Sequence, residues 1–405
     1  MSNKLQSIFP IKGVVQNYAW GGFSFLPELL HKENPEHQPW AEYWMGAHPK
    51  APAIDLNNDE ALNKIITSDP AKTVGEKVWN RFGELPYLFK VLDVNEMLSI
   101  QVHPSKSEAE KGFDAENTKG ISIADPTRNY KDRNHKPEVM VALSEFWLLH
   151  GFLSEEKLKN VLQSVPEFNQ FASTFGEGDY KALYQKVMEL STEEADKILF
   201  PIIERELANK KAGALDRSLP GWWVAKLYEN ENPKSNIDKG IFSIYFFNIV
   251  KANPGEAVFQ AAGIPHAYLE GQNMELMANS DNVLRGGLTP KHVDVPELLK
   301  HTSFVGVTPN VMAASLDTFG EINFPCPVPD FGLSMLRLKN EQTISSTSFS
   351  LEIYFVEQGK ISLQSGDQTL ILEKGNAAAI LSNTEYTITA AQENTIAFKA
   401  FVPEL

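Results

Sequence analysis

Ile361-Ser-Leu-Gln-Ser-Gly-Asp-Gln-Thr-Leu-Ile-Leu372 decides the fold class. Ile361 and Leu363 alternate with polar residues before Ser365-Gly366-Asp367, and Leu370 and Leu372 alternate after it. A period of two puts one side of each run against a core, and the Gly-Asp pair between them suits a tight turn. The stretch therefore reads as a β-hairpin. From Glu352 to Leu405 the chain continues almost wholly in short β-rich runs, with Gly375-Asn376 marking another turn. Short strands at such close spacing predict a jelly roll or related barrel.

Strand signals extend upstream. Ile241 to Val250 is β-rich, Asn253-Pro254-Gly255-Glu256 is a turn, and Ala257 to Ala262 is expected to pair back on the first run. Tyr87 to Val94, Met97 to Val102 and the longer Val139 to Leu149 have the length and apolarity of buried strands. Between Leu153 and about Lys211 the period changes. Leu158, Val161, Leu162 and Val165 recur at helical steps up to Pro166, and Leu183, Val187 and Leu190 form another stripe. Ser191 with Glu194 is a capping-box pattern leading into Ala195, Ile198, Leu199, Ile202 and Ile203, and Pro201 is expected to kink or interrupt that helix. These helices read as packing elements without chemistry.

At 405 residues the chain exceeds one ordinary core, so two or three domains are expected. A formal charge of −15 excludes non-specific nucleic-acid binding, and an anionic substrate would need a local cluster of Lys or Arg. Cys326 is the only cysteine, which excludes an intrachain disulfide and a thiolate metal cluster. Met1 to Lys12 lacks the pattern of a signal peptide, and the apolar runs fall well short of the roughly 20 residues that span a bilayer. A cytoplasmic protein without membrane attachment is expected.

Three segments hold candidate chemistry. In Gln101-Val102-His103-Pro104, residues two apart on a strand share a face, so Gln101 and His103 could reach one ion; a lone strand histidine is more often a structural residue. In Asn134-His135-Lys136-Pro137-Glu138, Lys136 and Glu138 fall on one side, either as a plain ion pair or as an anion anchor beside a metal ligand. The segment from Gly263 to Lys291 holds His266, Tyr268, Glu275, Asn279, Ser280, Asp281, Asn282, Arg285 and a Gly286-Gly287 pair, which suits a lined cavity as well as a hydrogen-bonded loop. Together Gln101, His103, Glu138 and His266 offer two nitrogen and two oxygen ligands, a set suited to Zn2+ with an open position.

These segments resemble the type I phosphomannose isomerases. Tyr130-Lys-Asp-Arg-Asn-His-Lys-Pro-Glu138 matches one signature of that family, and His266-Ala-Tyr-Leu-Glu-Gly with Glu275-Leu-Met-Ala-Asn-Ser-Asp-Asn-Val-Leu-Arg285 matches another. Tyr18-Ala-Trp20-Gly-Gly, Glu42-Tyr-Trp-Met-Gly46 and Leu98-Ser-Ile-Gln-Val-His-Pro104 are similar to further family segments in family order. The resemblance runs from about Ile8 to Glu297 and is weaker over the helical segment. It implies a mainly β protein with an α insertion: a cupin-like jelly-roll catalytic core at 1–152 and 236–325, a helical insertion at 153–235, and a C-terminal β (jelly-roll) domain at 326–405. It also implies one zinc per chain on Gln101, His103, Glu138 and His266, a catalytic Arg285, and a pocket lined by Lys136, Glu275 and Asp281. Gly286 departs from the family, which usually has Ala there, and the missing methyl is expected to loosen the backbone after Arg285.

The implied activity is interconversion of D-mannose 6-phosphate and D-fructose 6-phosphate through an enediol, feeding mannose into glycolysis or into GDP-mannose synthesis. Such a reaction needs a base, charge stabilisation and a grip on the phosphate. Glu275, His135 and Asp281 are candidate proton carriers, Lys136 orients sugar oxygens, and Ser99 and Lys90, with Lys136 or Arg285, hold the phosphate. Trp20 and Tyr268 complete the substrate-binding set. A phosphosugar is the expected partner of a monomer, with a dimer left open. The competing readings are an isomerase of the same fold acting on another epimer, a non-catalytic cupin-type sugar-binding or regulatory protein, and an iron cupin dioxygenase.

Overall fold

The computed structural model describes residues 6–230, 233, 235–313 and 319–404. The N-terminal residues read for a signal peptide therefore lie partly outside the described residues. The hairpin forms in the expected register: Lys360–Ser365 pairs with Gln368–Glu373, Ser365 lies opposite Gln368, and Gly366 takes the turn at φ 54°. It belongs to a 4-stranded sheet whose apolar side, Ile361, Leu363, Leu372 and Ile388, is buried against Leu336, Tyr354 and Val356 of an 8-stranded sheet. Ile8–Lys12 enters that larger sheet between Ala377–Ile380 and Ile54–Asp55, so the first described strand pairs with the C-terminal region.

The opposite face of the 8-stranded sheet, with Ile353, Phe355 and Phe398, shares one core with Tyr43, Met45, Phe89, Val91, Leu276 and Val139 of an 11-stranded sheet. That third sheet curls on itself and carries the candidate segments. Its organising element is the 13-residue strand His266–Ala278. Its second half pairs with Tyr87–Val94 and Glu138–Ala142, and its first half with Phe146–Phe152 and Gln101. The register shifts between Tyr268 and Glu270, and Gly271 follows at φ 125° with no room for a Cβ, which would lie 2.6 Å from the Glu145 carbonyl oxygen. A bulge and a glycine at that point let one strand serve both walls of the barrel.

The helices between Glu155 and Phe246 pack on one wall of the barrel. Leu158, Leu162, Phe168, Leu183, Val187 and Leu199 share a core with Ile100, Val102, Leu149 and Leu284. The capping box at Ser191 forms, and the helix Thr192–Lys211 runs through Pro201 without interruption. Pro201 faces solvent, where water can satisfy the carbonyl that loses its donor. Four strand expectations are corrected. Ile241 to Val250 divides into a helix, Gly240–Phe246, and a strand, Phe247–Ala252; the helix is buried on every side, so its sequence shows no helical stripe. The strand pairs with Phe146–Phe152, whereas Glu256–Gln260 pairs with Glu138–Ala142, so the Asn253–Glu256 turn links two walls and closes no hairpin. Val139 to Leu149 is likewise two strands, Glu138–Ala142 and Phe146–Phe152, and between Met97 and Val102 only Gln101–Val102 is a strand.

Candidate active site

Strand pairing brings the candidate ligands together. Glu138 opens one barrel strand, His266 opens the long strand opposite Gln101, and His103 follows Val102 directly. One ligand atom from each of His103, Glu138 and His266 lies within 4.8 Å of the other two, and all three residues are buried. The His103 Nδ1 lies 2.8 Å from the Asn282 carbonyl oxygen, and the His266 Nδ1 lies 2.9 Å from that of Ile264. A carbonyl can only accept, so each Nδ1 carries the proton and each Nε2 presents a lone pair. Both Nε2 atoms lack a hydrogen-bond partner and sit 3.5 and 3.4 Å from the Glu138 carboxylate oxygens. Two aimed lone pairs and a carboxylate, each ring fixed by a backbone carbonyl, form a donor set that fits a borderline divalent ion such as zinc. Burial alone would raise the Glu138 pKa, but the Lys136 ammonium 2.8 Å away holds it well below the usual carboxylate range. Burial lowers His103 to about 4, keeping that ring neutral and able to ligate.

A cavity of about 800 Å³ opens beside this centre, lined by Trp20, Lys90, Ser99, Gln101, Lys136, Asp281 and Arg285 among others. Sequence-predicted residues from five separate segments thus meet at one space. On its inner wall Lys90 Nζ lies 3.0 Å from Glu275 and 3.4 Å from Glu42. Burial pushes the Glu275 pKa up against the pull of Lys90, while burial of Lys90 is outweighed by Glu275 and Glu42, which keep it charged. Tyr268 is buried behind the wall, packed edge-on to Phe146. Asp281 lies between two cavities. Lys50 Nζ sits 2.6 Å and His48 Nε2 3.6 Å from its carboxylate, and these two neighbours hold it below the usual aspartate range despite burial. His135 stands apart: its Nε2 lies 3.0 Å from both Asp330 oxygens and lines the neighbouring space with Lys50, Arg81 and Asp132.

Arg285 pairs in register with Gln101, makes no ion pair among the described residues, and its pKa is lowered by burial. Lys291 shares the lining; its pKa is lowered by burial and by Arg285. Two cations without ion-pair partners among the described residues line one cavity of an otherwise acidic chain, an arrangement that suits an anion. Lys291, Glu42 and Trp44 were missed as individual site residues. Lys291 closes the quoted polar segment, and Glu42 and Trp44 lie in a quoted family segment, but only the folded sheet, with Trp44 opposite Lys90, brings Glu42 diagonally to Lys90 Nζ. Gly286 also reads differently in three dimensions. A Cβ there would meet Ile100 Cγ2 at 2.9 Å and the Tyr184 hydroxyl at 3.0 Å, so the glycine makes room for the helical region.

Fold and site together define a cupin-like β-barrel with a buried His–Glu–His centre beside a cavity that suits a polar, anionic small molecule. The family model described as phosphomannose isomerase type I, catalytic domain, matches residues 8–154. The mannose-6-phosphate isomerase of Escherichia coli (strain K12) is 40% identical over 377 residues, covering 91% of this chain and 93% of that protein. The Mus musculus mannose-6-phosphate isomerase is 34% identical over 412 residues, with 93% and 94% covered. A Salmonella typhimurium mannose 6-phosphate isomerase, solved bound to fructose 6-phosphate and zinc, is similar with TM-score 0.87 and 35% identity over 98% of this chain and 100% of that one. The chain belongs to the type I phosphomannose isomerases, and is an isomerase.

Proposed function

We propose that this chain interconverts D-mannose 6-phosphate and D-fructose 6-phosphate with one zinc held by His103, Glu138, His266 and Gln101. The observation that carries the reading is the pair of unpartnered, aimed Nε2 atoms beside Glu138, next to a cavity whose mouth holds Arg285 and Lys291. Zinc, when bound, supplies positive charge that polarises sugar oxygens. The chain's own residues do the rest. Arg285 and Lys291, with Ser99, take the phosphate, since Lys90 is occupied by Glu275 and Glu42. Trp20, stacked on Tyr18 with ring centroids 5.9 Å apart, offers a flat wall to the sugar. Lys136 orients the sugar oxygens beside Glu138.

A proton leaves C2 of the open aldose and returns to C1 of the enediol, which balances the reaction without any oxidant. Glu275 is the carrier we favour over His135 and Asp281. Burial pushes its carboxyl upward, the direction a proton carrier needs, whereas His48 and Lys50 hold Asp281 below the usual aspartate range and His135 is turned to Asp330. Arg285 stabilises the enediolate charge as it forms. Zinc-bound and substrate-bound relatives support this reading, as does the fit of the donor set. We further propose a cytoplasmic enzyme serving mannose use or GDP-mannose supply, with core 1–152 and 236–325, helical insertion 153–235 and terminal β domain 326–405; no helix among the described residues is long and apolar enough to cross a membrane. A coupled assay tests the substrate. Turnover of mannose 6-phosphate with none of glucose 6-phosphate is expected, and the reverse preference would replace this reading with an isomerase for the other epimer.

A further inference from the structure

The loop from Arg285 to Lys291 has no regular structure after its first residue, yet it is tightly held. Gly286 N–H donates to the Ile100 carbonyl at 2.8 Å, and Ile100 N–H donates to Gly287 at 3.0 Å. Leu288 then turns with φ 55°, a left-handed conformation that a branched side chain adopts only when its surroundings impose it. What imposes it comes from the stretch leaving the helical region. Asp238 Oδ1 accepts from Gly240 N at 2.7 Å and Leu288 N at 2.8 Å, and its Oδ2 accepts from Thr289 N at 2.9 Å. The two backbones touch there: a Cβ on Gly240 would lie 2.6 Å from Leu288 N, and one on Gly287 2.6 Å from Gly240 Cα. One carboxylate therefore gathers three amides at a glycine–glycine contact, midway between the cations at the cavity mouth.

We propose that Asp238 is a positioning residue that sets the curl of the 285–291 loop, and with it the spacing of Arg285 and Lys291 around the substrate's phosphate. The inference rests on those two cations taking the phosphate. It gives the segment that leads from the helical insertion back into the core a part in substrate recognition, through a side chain that never meets the substrate. An ionised carboxylate accepting three N–H bonds is a strong local anchor, and a shift of the loop by a fraction of an ångström degrades a charge-assisted contact at each end.

The test measures inhibition by inorganic phosphate, KM and kcat for mannose 6-phosphate, and the melting temperature, on the zinc-supplemented full chain and on D238A, D238N and K291Q. D238N keeps one acceptor for Gly240 and Leu288 but turns a donor toward Thr289 N–H, so it loosens the loop without emptying the site. The expected result is that K291Q and D238A each raise the phosphate inhibition constant and KM by about three- to tenfold, with kcat changing by less. D238N should fall between D238A and the parent, and it decides the matter if D238A fails to fold. If K291Q raises the phosphate constant while both Asp238 variants only lower the melting temperature, Asp238 is a structural stitch and the proposal is overturned. If K291Q leaves the phosphate constant unmoved, the phosphate assignment itself fails, and the role of Asp238 with it.

Discussion

Two β regions of this molecule share the same strand alternation and use it in opposite ways. Where the 4-stranded and 8-stranded sheets meet, the facing side chains are apolar, and the buried Glu352 is closed off. It accepts from the Tyr386 hydroxyl at 2.6 Å, which lies 2.8 Å from that of Tyr354. In the barrel the corresponding inward positions are Glu42, Lys90, Glu138 and Glu275. Partnerless buried atoms gather there too: Nε2 of His103, His266 and Gln260, both amide atoms of Asn273, and the Tyr268 hydroxyl, which faces Glu275 without an aligned hydrogen bond. Buried polar groups are normally paired, so such a concentration marks where a ligand, ion or water completes the structure. The sandwich spends its alternation on cohesion, and the barrel keeps part of its own open for chemistry.

That division can be broken by substitution. His266→Ala should release the metal and cut turnover by roughly three orders of magnitude, while the melting curve stays cooperative. Elemental analysis showing an unchanged zinc content would remove His266 from the ligand set. In the sandwich, Ile388→Ala should cost about 2–5 kcal/mol of unfolding free energy by denaturant titration, with kcat of the folded protein unaltered. A lowered kcat at temperatures where the fold is intact would mean the two regions are not separable. Tyr386→Phe removes the donor to Glu352 and should cost about 1–3 kcal/mol, again without a kinetic effect. Gly286→Ala bridges the two worlds, since its methyl would press on Ile100 and Tyr184. Overpacking of about 1 kcal/mol is expected with a rise in KM, and a variant indistinguishable from the parent would show that this contact yields freely.

The smallest effect is a pH response. Burial pushes the Glu352 carboxyl above its ordinary value, against the pull of Lys399 and the Tyr386 hydrogen bond. The folded state then keeps a proton that the unfolded chain has already lost. Stability contributed by this group accordingly falls as pH rises from the ordinary glutamate value toward the raised one. Urea midpoints taken across that window should decline less in Glu352→Gln than in the parent; parallel curves would place the response elsewhere.

Much of this was legible in the sequence, for reasons that differ by region. The hairpin at Ile361–Leu372 and the capping box at Ser191 are local: a period of two around Gly366, and a Ser–Glu spacing, carry their own geometry. The metal set was legible as residue types, and the expectation that His103, Glu138 and His266 meet required only that three strands pair. What stayed hidden depends on tertiary contact. Gly240–Phe246 is enclosed on all sides, so no stripe distinguishes helix from strand. Glu42 beside Lys90, and Asp238 beneath Leu288, are far apart in sequence and carry no motif. His135, a candidate proton carrier from the same motif as Lys136, instead turns to Asp330 in the neighbouring cavity, a contact no motif announces.

The barrel's unpaired nitrogens, His103 Nε2 and His266 Nε2, are expected to hold a catalytic zinc. The direct test strips the protein with a chelator, measures turnover of mannose 6-phosphate to fructose 6-phosphate, and titrates zinc back while metal content is followed. Activity should vanish on stripping and return in proportion to bound zinc, reaching its plateau at one ion per chain. Full turnover by the stripped protein would contradict the claim.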